Sequence, residues 1–190
     1  MIAWVGSKME NYLFIMKRLS FTLLGVLTLL LAGCSKTDPI MLVKNGTLDF
    51  DKSVTVGNAL DNYKYFSNQS WRSFVDDQKR TVVEFTALFD YNKFVGAEIE
   101  GITITDAMLT RAKAKLGELT LTYLVQFKIA ADGKSFELAY SATKMTGRSK
   151  ETGKLTDGDM PDKDLSPLSL IYNNKPALAP LGILISASSE

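Results

Sequence analysis

The run from Leu119 to Ile129 constrains the fold more than any other segment. Leu119, Leu121, Tyr123, Val125, Phe127 and Ile129 alternate with Thr120, Thr122, Gln126 and Lys128. A period of two sends the apolar set to one face of a strand and the polar set to the other. Asp132-Gly133 follows, and both residues tolerate the positive φ that a tight hairpin requires. A return strand is predicted over Ser135 to Lys144, with Phe136, Leu138, Tyr140 and Ala142 inward. Thr81 to Tyr91 repeats the pattern: Val83, Phe85, Ala87, Phe89 and Tyr91 oppose Glu84, Thr86 and Asp90. The polar run Asp76 to Arg80 makes a turn that links it to a strand at Ser70 to Val75. The expected sheet is antiparallel, with one face packed and one polar.

Helical spacing appears at two places. Thr55 is placed to cap a helix from about Val56 to Phe66, in which Val56, Ala59, Leu60, Tyr63 and Phe66 form the apolar side. Its aromatic edge (Tyr63, Tyr65, Phe66) belongs to the core, and Gly57 permits close backbone packing. Residues 92 to 117 read as an insertion into the meander. Val95, Ala97 and Ile99 alternate there with Gly96, Glu98 and Glu100, and Gly101 shifts the register. Thr105 then caps a helix over Asp106 to Leu116 that Gly117 stops. Leu109, Ala112 and Leu116 give that helix its apolar stripe, while Arg111, Lys113 and Lys115 form a solvated basic face near its C-terminus. From Gly147 the pattern fails. Arg148 to Asp164 reads as a long polar loop, Leu165 to Tyr172 as a short helix, and Leu181 to Ile185 as an edge strand after Pro176 and Pro180. The fold class is therefore α+β: an antiparallel sheet of about four to five strands packed by two or three helices.

The N-terminus carries an address. Met16-Lys17-Arg18 precedes an apolar stretch of fourteen residues, Leu19 to Ala32, which ends in Leu31-Ala32-Gly33-Cys34. That stretch falls short of the ~20 residues a membrane-spanning helix needs and matches a secretory signal. The Leu-Ala-Gly-Cys tetrad resembles the lipobox of bacterial lipoprotein signal peptides. The resemblance implies that the Cys34 thiol is acylated and that Cys34 becomes the first residue of the mature chain. Residues 1–33 then form the signal, with the true start near Met16 and residues 1–15 a misplaced one. Residues 34–47 form a lipidated tether, and residues 48–190 a single domain. Ser35, in place of an aspartate after the cysteine, implies sorting to the outer membrane.

Composition narrows the chemistry. The chain has 22 Lys+Arg against 21 Asp+Glu, a balance that disfavours a nucleic-acid partner. It has no histidine, which excludes Ser-His-Asp and Cys-His nucleophile systems and any His-ligated metal. Its one cysteine excludes an intramolecular disulfide. Asp157, Asp159, Asp162 and Asp164 offer oxygen ligands, but their spacing is not that of a calcium loop and reads as a solvated turn. Glu98 and Glu100 share a strand face without the facing carboxylate a glycosidase requires. No catalytic, cofactor-binding or metal-ligating residues are therefore assigned.

Val43-Lys44-Asn45-Gly46, Thr55-Val56-Gly57-Asn58-Ala59-Leu60, Trp71-Arg72-Ser73-Phe74, Val82-Val83-Glu84-Phe85-Thr86 and Phe136-Glu137-Leu138 together resemble a group of small bacterial lipoproteins of unassigned role. The resemblance covers about Val43 to Lys144 and brings no catalytic residues with it; Trp71 reads as a core anchor. A helix followed by an antiparallel meander is also similar in element order to the inhibitor-like fold of some outer-membrane assembly lipoproteins. The expected protein is a lipid-anchored envelope module, non-enzymatic, held to the membrane through Cys34 and binding an envelope protein or polymer through its sheet face or its insertion. A lipid-anchored hydrolase working without histidine, through carboxylates or a Ser/Lys pair, is the alternative.

Overall fold

A computed structural model describes residues 38–99, 101–148 and 153–188, so Cys34 and the whole signal segment, like Glu100, lie outside the described residues. Among the described residues, seven strands and five α-helices follow in chain order. Helices α1 (Pro39–Asn45) and α2 (Val56–Asp61) precede strands β1 (Phe66–Val75) and β2 (Thr81–Phe89). A 3-10 turn (Tyr91–Phe94), the short hairpin β3 (Glu98–Ile99) and β4 (Ile102–Thr103), and helix α3 (Asp106–Leu116) make up the insertion. Strands β5 (Thr120–Ile129), β6 (Phe136–Arg148) and β7 (Leu155–Pro161) complete the meander, and α4 (Ser166–Tyr172) and α5 (Leu178–Ser188) close the chain.

The main sheet has five antiparallel strands in the order β1-β2-β5-β6-β7. Its inner face carries Val83, Phe85, Ala87 and Phe89 from β2 and Leu121, Tyr123, Val125, Phe127 and Ile129 from β5, all buried. Val43 of α1, Leu60 of α2, Leu109 of α3, Leu168 of α4 and Leu184 of α5 join the same core cluster. Among the described residues all five helices therefore pack on one face of the sheet, and none of them covers the other. The expected α+β architecture is the one observed.

Particular elements depart from the sequence reading. Helix α2 ends at Asp61, and Asn62 caps it. Phe66 already belongs to β1, because Tyr63, Tyr65 and Phe66 all find burial around a turn. The Tyr63 hydroxyl donates to the Lys175 carbonyl at 2.8 Å and accepts from the Ala177 amide at 2.9 Å, which pins the C-terminal segment. Residues 155–161, read as loop, form β7: an edge strand needs only one row of ladder bonds and no apolar alternation. Residues 181–185, read as a strand, lie within α5. Pro180 is tolerated there because the first turn of a helix has no intrahelical use for its N–H groups. Residues 39–45, read as part of the tether, form α1, whose Val43 is fully buried.

The glycine reading at position 57 has a direct physical basis. A Cβ there would stand 2.9 Å from the Lys44 carbonyl oxygen, so only glycine lets α2 approach α1 this closely. Lys44 is further held by an ion pair to Asp61 at 2.6 Å. Trp71 is half-buried, lies tilted against Phe85 and stacked near Phe127, and donates its indole N–H to Asp61 at 2.7 Å.

Candidate functional site: the open sheet face

The β5–β6 pairing determines which side chains reach the open face. Ile129 pairs with Phe136 and Phe127 with Leu138, but Gln126 pairs with Tyr140, so Ala139 is an extra residue in β6. A bulge of this kind shifts the alternation by one residue. Phe136 and Leu138 face the core as expected. Tyr140 and Ala142, expected inward, lie on the open face, while Ser141 and Thr143 take the inner positions opposite Val125 and Tyr123. Val82 and Ala142 are buried yet belong to no part of the core cluster, as their register on the open face requires.

Glu84 lies at the centre of that face and is only 4% exposed. The Arg72 guanidinium donates to its Oε1 from Nε at 2.6 Å and from Nη2 at 2.5 Å. The Gln126 amide donates to Oε2 at 2.7 Å. Three neighbouring strands are thus joined through one carboxylate with both oxygens satisfied, the condition under which a buried charge is tolerated. The same carboxylate raises the pKa of Arg72, mainly through its hydrogen bond.

A groove of about 550 Å³ opens beside this network. Phe74, Val82, Gln126 and Tyr140 are among its lining residues, and two ion pairs flank it. On one side Arg80 holds Asp76, with Nε to Oδ2 at 2.7 Å. On the other Lys128 holds Glu137, with Nζ to Oε1 at 2.7 Å. The hydrogen bond from each cation keeps its carboxyl below the ordinary carboxylate range. Both acids are therefore ionised at neutral pH and offer fixed acceptors rather than a proton. Tyr140 donates to Asp159 at 3.3 Å, and partial burial raises its pKa.

The insertion borders a second, more apolar hollow of about 450 Å³, lined by Tyr91, Lys113, Leu116, Leu119 and Leu184 among others. Burial pushes the Tyr91 hydroxyl up to about 12. Of the basic face read from the sequence, Lys113 donates to the Asn92 side-chain oxygen at 2.7 Å, and Arg111 and Lys115 are exposed. Glu98 is exposed on β3.

The four aspartates near the C-terminus are dispersed. Asp157 and Asp159 lie on the open side of β7, where Asp157 approaches Lys144 at 3.5 Å. The Asp164 carboxylate accepts from the Ser166 amide at 3.1 Å. Asp162 enters the core, where its Oδ2 accepts from Ser141 at 3.2 Å, from the Leu168 amide at 3.2 Å and from the Tyr123 hydroxyl at 3.4 Å. Its Oδ1 is buried without a partner, and burial raises the carboxyl pKa. This cluster fastens the end of β7 to the first turn of α4, whose capping residue Leu165 offers no side-chain acceptor. Among the described residues, no group of three or more acidic or cysteine side chains could hold a metal ion.

Of the open-face residues, Glu84 was legible as polar-side from alternation alone. The Arg72–Glu84–Gln126 network and the outward turn of Tyr140 were not, because both depend on strand register. No protein-family model, curated protein or solved structure matches the chain.

Proposed function

We propose that the chain is a lipid-anchored bacterial envelope protein, carried to the outer membrane by its signal segment and acylated at Cys34, that works as a binding or assembly module. Its ligand is an envelope protein or polymer laid across the open sheet face. The observation that carries this reading is the groove on a face that every described helix leaves bare, with its paired charges and its Tyr140 and Phe74 side chains. A rigid sheet presenting fixed donors and acceptors suits recognition, because little side-chain entropy remains to be lost on binding. Among the described residues no helix is long and apolar enough to cross a membrane; the attachment proposed is through acyl chains at Cys34.

Two measurements test the reading together. Metabolic labelling with a fatty-acid analogue marks the native chain and misses Cys34→Ala. In intact cells, a photo-reactive residue at position 74 captures a defined partner, whereas the same residue at position 111, on the basic helix, does not. Equal labelling of both chains removes the anchor. Capture from position 111 alone moves the ligand from the sheet face to the insertion.

A further inference from the structure

Resting on the anchor reading above, we propose that α1 and the turn after it form a second, non-covalent membrane contact, with Met41 and Phe50 seated in the headgroup region of the bilayer that holds Cys34. The occupant of this surface is fixed by chain length. Four peptide steps separate Cys34 from Asp38, the cap of α1, and whatever path they take they span at most ~14 Å. Asp38 accepts from the Ile40 amide at 2.9 Å, and α1 is rigidly part of the body beyond it. Val43 is fully buried, Lys44 is paired with Asp61, and the Gly46 carbonyl accepts from the Val56 amide at 2.8 Å. At that reach, the start of α1 stays close to the headgroups of the bilayer that the anchor reading assigns to Cys34.

Large apolar side chains are exposed there. Met41 is 47% exposed on α1, and Phe50 is 44% exposed in the turn that the Leu48–Asp51 bridge closes. Phe50 rests edge-on against Tyr172 at 4.9 Å, which fixes its ring in place. The neighbouring charges nearly cancel: Asp38, Asp49 and Asp51 stand against Lys44 and Lys52, and Lys52 is already paired with Asp49 at 3.2 Å. The contact is therefore apolar and interfacial, with no requirement for anionic lipid. It deepens a tether into a mounting: the anchor sets the distance, and the two side chains limit the domain's tumbling.

The test uses the full-length acylated chain in phosphatidylcholine vesicles carrying a headgroup-level nitroxide quencher. Acylated Cys34 has no free thiol, so a single introduced cysteine takes a fluorophore selectively. Met41→Cys and Phe50→Cys replace exposed residues, and Leu155→Cys is the comparison. Leu155 is an apolar residue 67% exposed on β7, at the end of β6 remote from Phe136, beside which Gly46 packs. Probes at 41 and 50 are expected to be quenched about twofold or more over the probe at 155. Equal quenching at all three positions, or none at 41 and 50, overturns the proposal. Quenching that appears only when phosphatidylglycerol is added also overturns it, since charge would then carry the contact. Vesicle flotation and the mass of the Cys34 peptide separate the two layers of inference. A chain without acyl groups removes the anchor reading and this proposal together. An acylated, floating chain with unquenched probes removes this proposal alone.

Discussion

Phe127 and Tyr140 both point inward if alternation is followed along β5 and β6, but the bulge at Ala139 sends only Phe127 to the core. Truncating each to alanine measures the bulge. Phe127 is fully buried, edge-on to Phe136 at 5.7 Å and stacked near Trp71 at 6.4 Å. Removing a buried ring costs ~3–5 kcal/mol, and the aromatic neighbours place this site toward the upper end. Tyr140 is half-buried on the open face, with one long hydrogen bond to Asp159. Its loss costs about 1 kcal/mol, the usual net worth of such a bond with a little packing. For a domain of this size each kcal/mol moves the melting temperature by ~2–4 °C, so Phe127→Ala melts about 8–20 °C lower and Tyr140→Ala only a few degrees lower. Urea denaturation of the compact unit beginning at Thr37 gives both values. Costs that are equal, or larger for Tyr140, would show that β6 runs without the bulge and that the groove described above does not exist.

Two further perturbations test the packing. Gly57→Ala gains helix propensity worth up to ~1 kcal/mol, yet its Cβ meets the Lys44 carbonyl oxygen at 2.9 Å, a backbone atom that cannot swing aside. A net loss of about 1–3 kcal/mol is expected by calorimetry, and a stabilised variant would mean that α1 can move away. Burial raises the Asp162 carboxyl pKa above its unfolded value, so the folded state binds that proton more tightly. Its contribution to stability is present at acid pH and is lost as pH rises through the folded pKa. Asp162→Asn removes that loss, and its stability relative to the native chain should improve from about pH 4 to pH 7. A variant whose stability falls relative to the native chain over that range contradicts the assignment.

The strands that bury one face over their whole length were readable because side-chain period and burial coincide. The β2 and β5 inner sets match the residues that alternation selects, and the Thr55 and Thr105 caps accept from Asn58 and Met108 as their spacing indicates. Reading failed where local pattern does not decide. Strand β7 is exposed for most of its length, so hydrogen bonding to β6 makes it a strand and no hydrophobic repeat announces it. Residues 178–188 are apolar on most sides, which gives helix and strand equal claim until packing against α3 chooses. The candidate site was the least legible part. An extra residue inside a strand leaves no mark in composition, and the groove brings Phe74 and Val82 beside Gln126 and Tyr140, residues from segments far apart in sequence.

The chemistry of β7 bears on how such chains coexist at a surface. On the proposed lipid anchor, molecules meet at high local density, and a bare sheet edge is then a template for chain-to-chain aggregation. Among the described residues β7 is such an edge, ending in Pro161, which has no N–H to offer a newcomer. A second copy laid antiparallel about Gly158 would set Asp157 of each molecule opposite Asp159 of the other. Two repulsions of like charge in the space of three residues oppose that register, and the glycine between them supplies no side chain to offset the cost. The polar character that disguised this segment as a loop thus also keeps crowded molecules from joining their sheets.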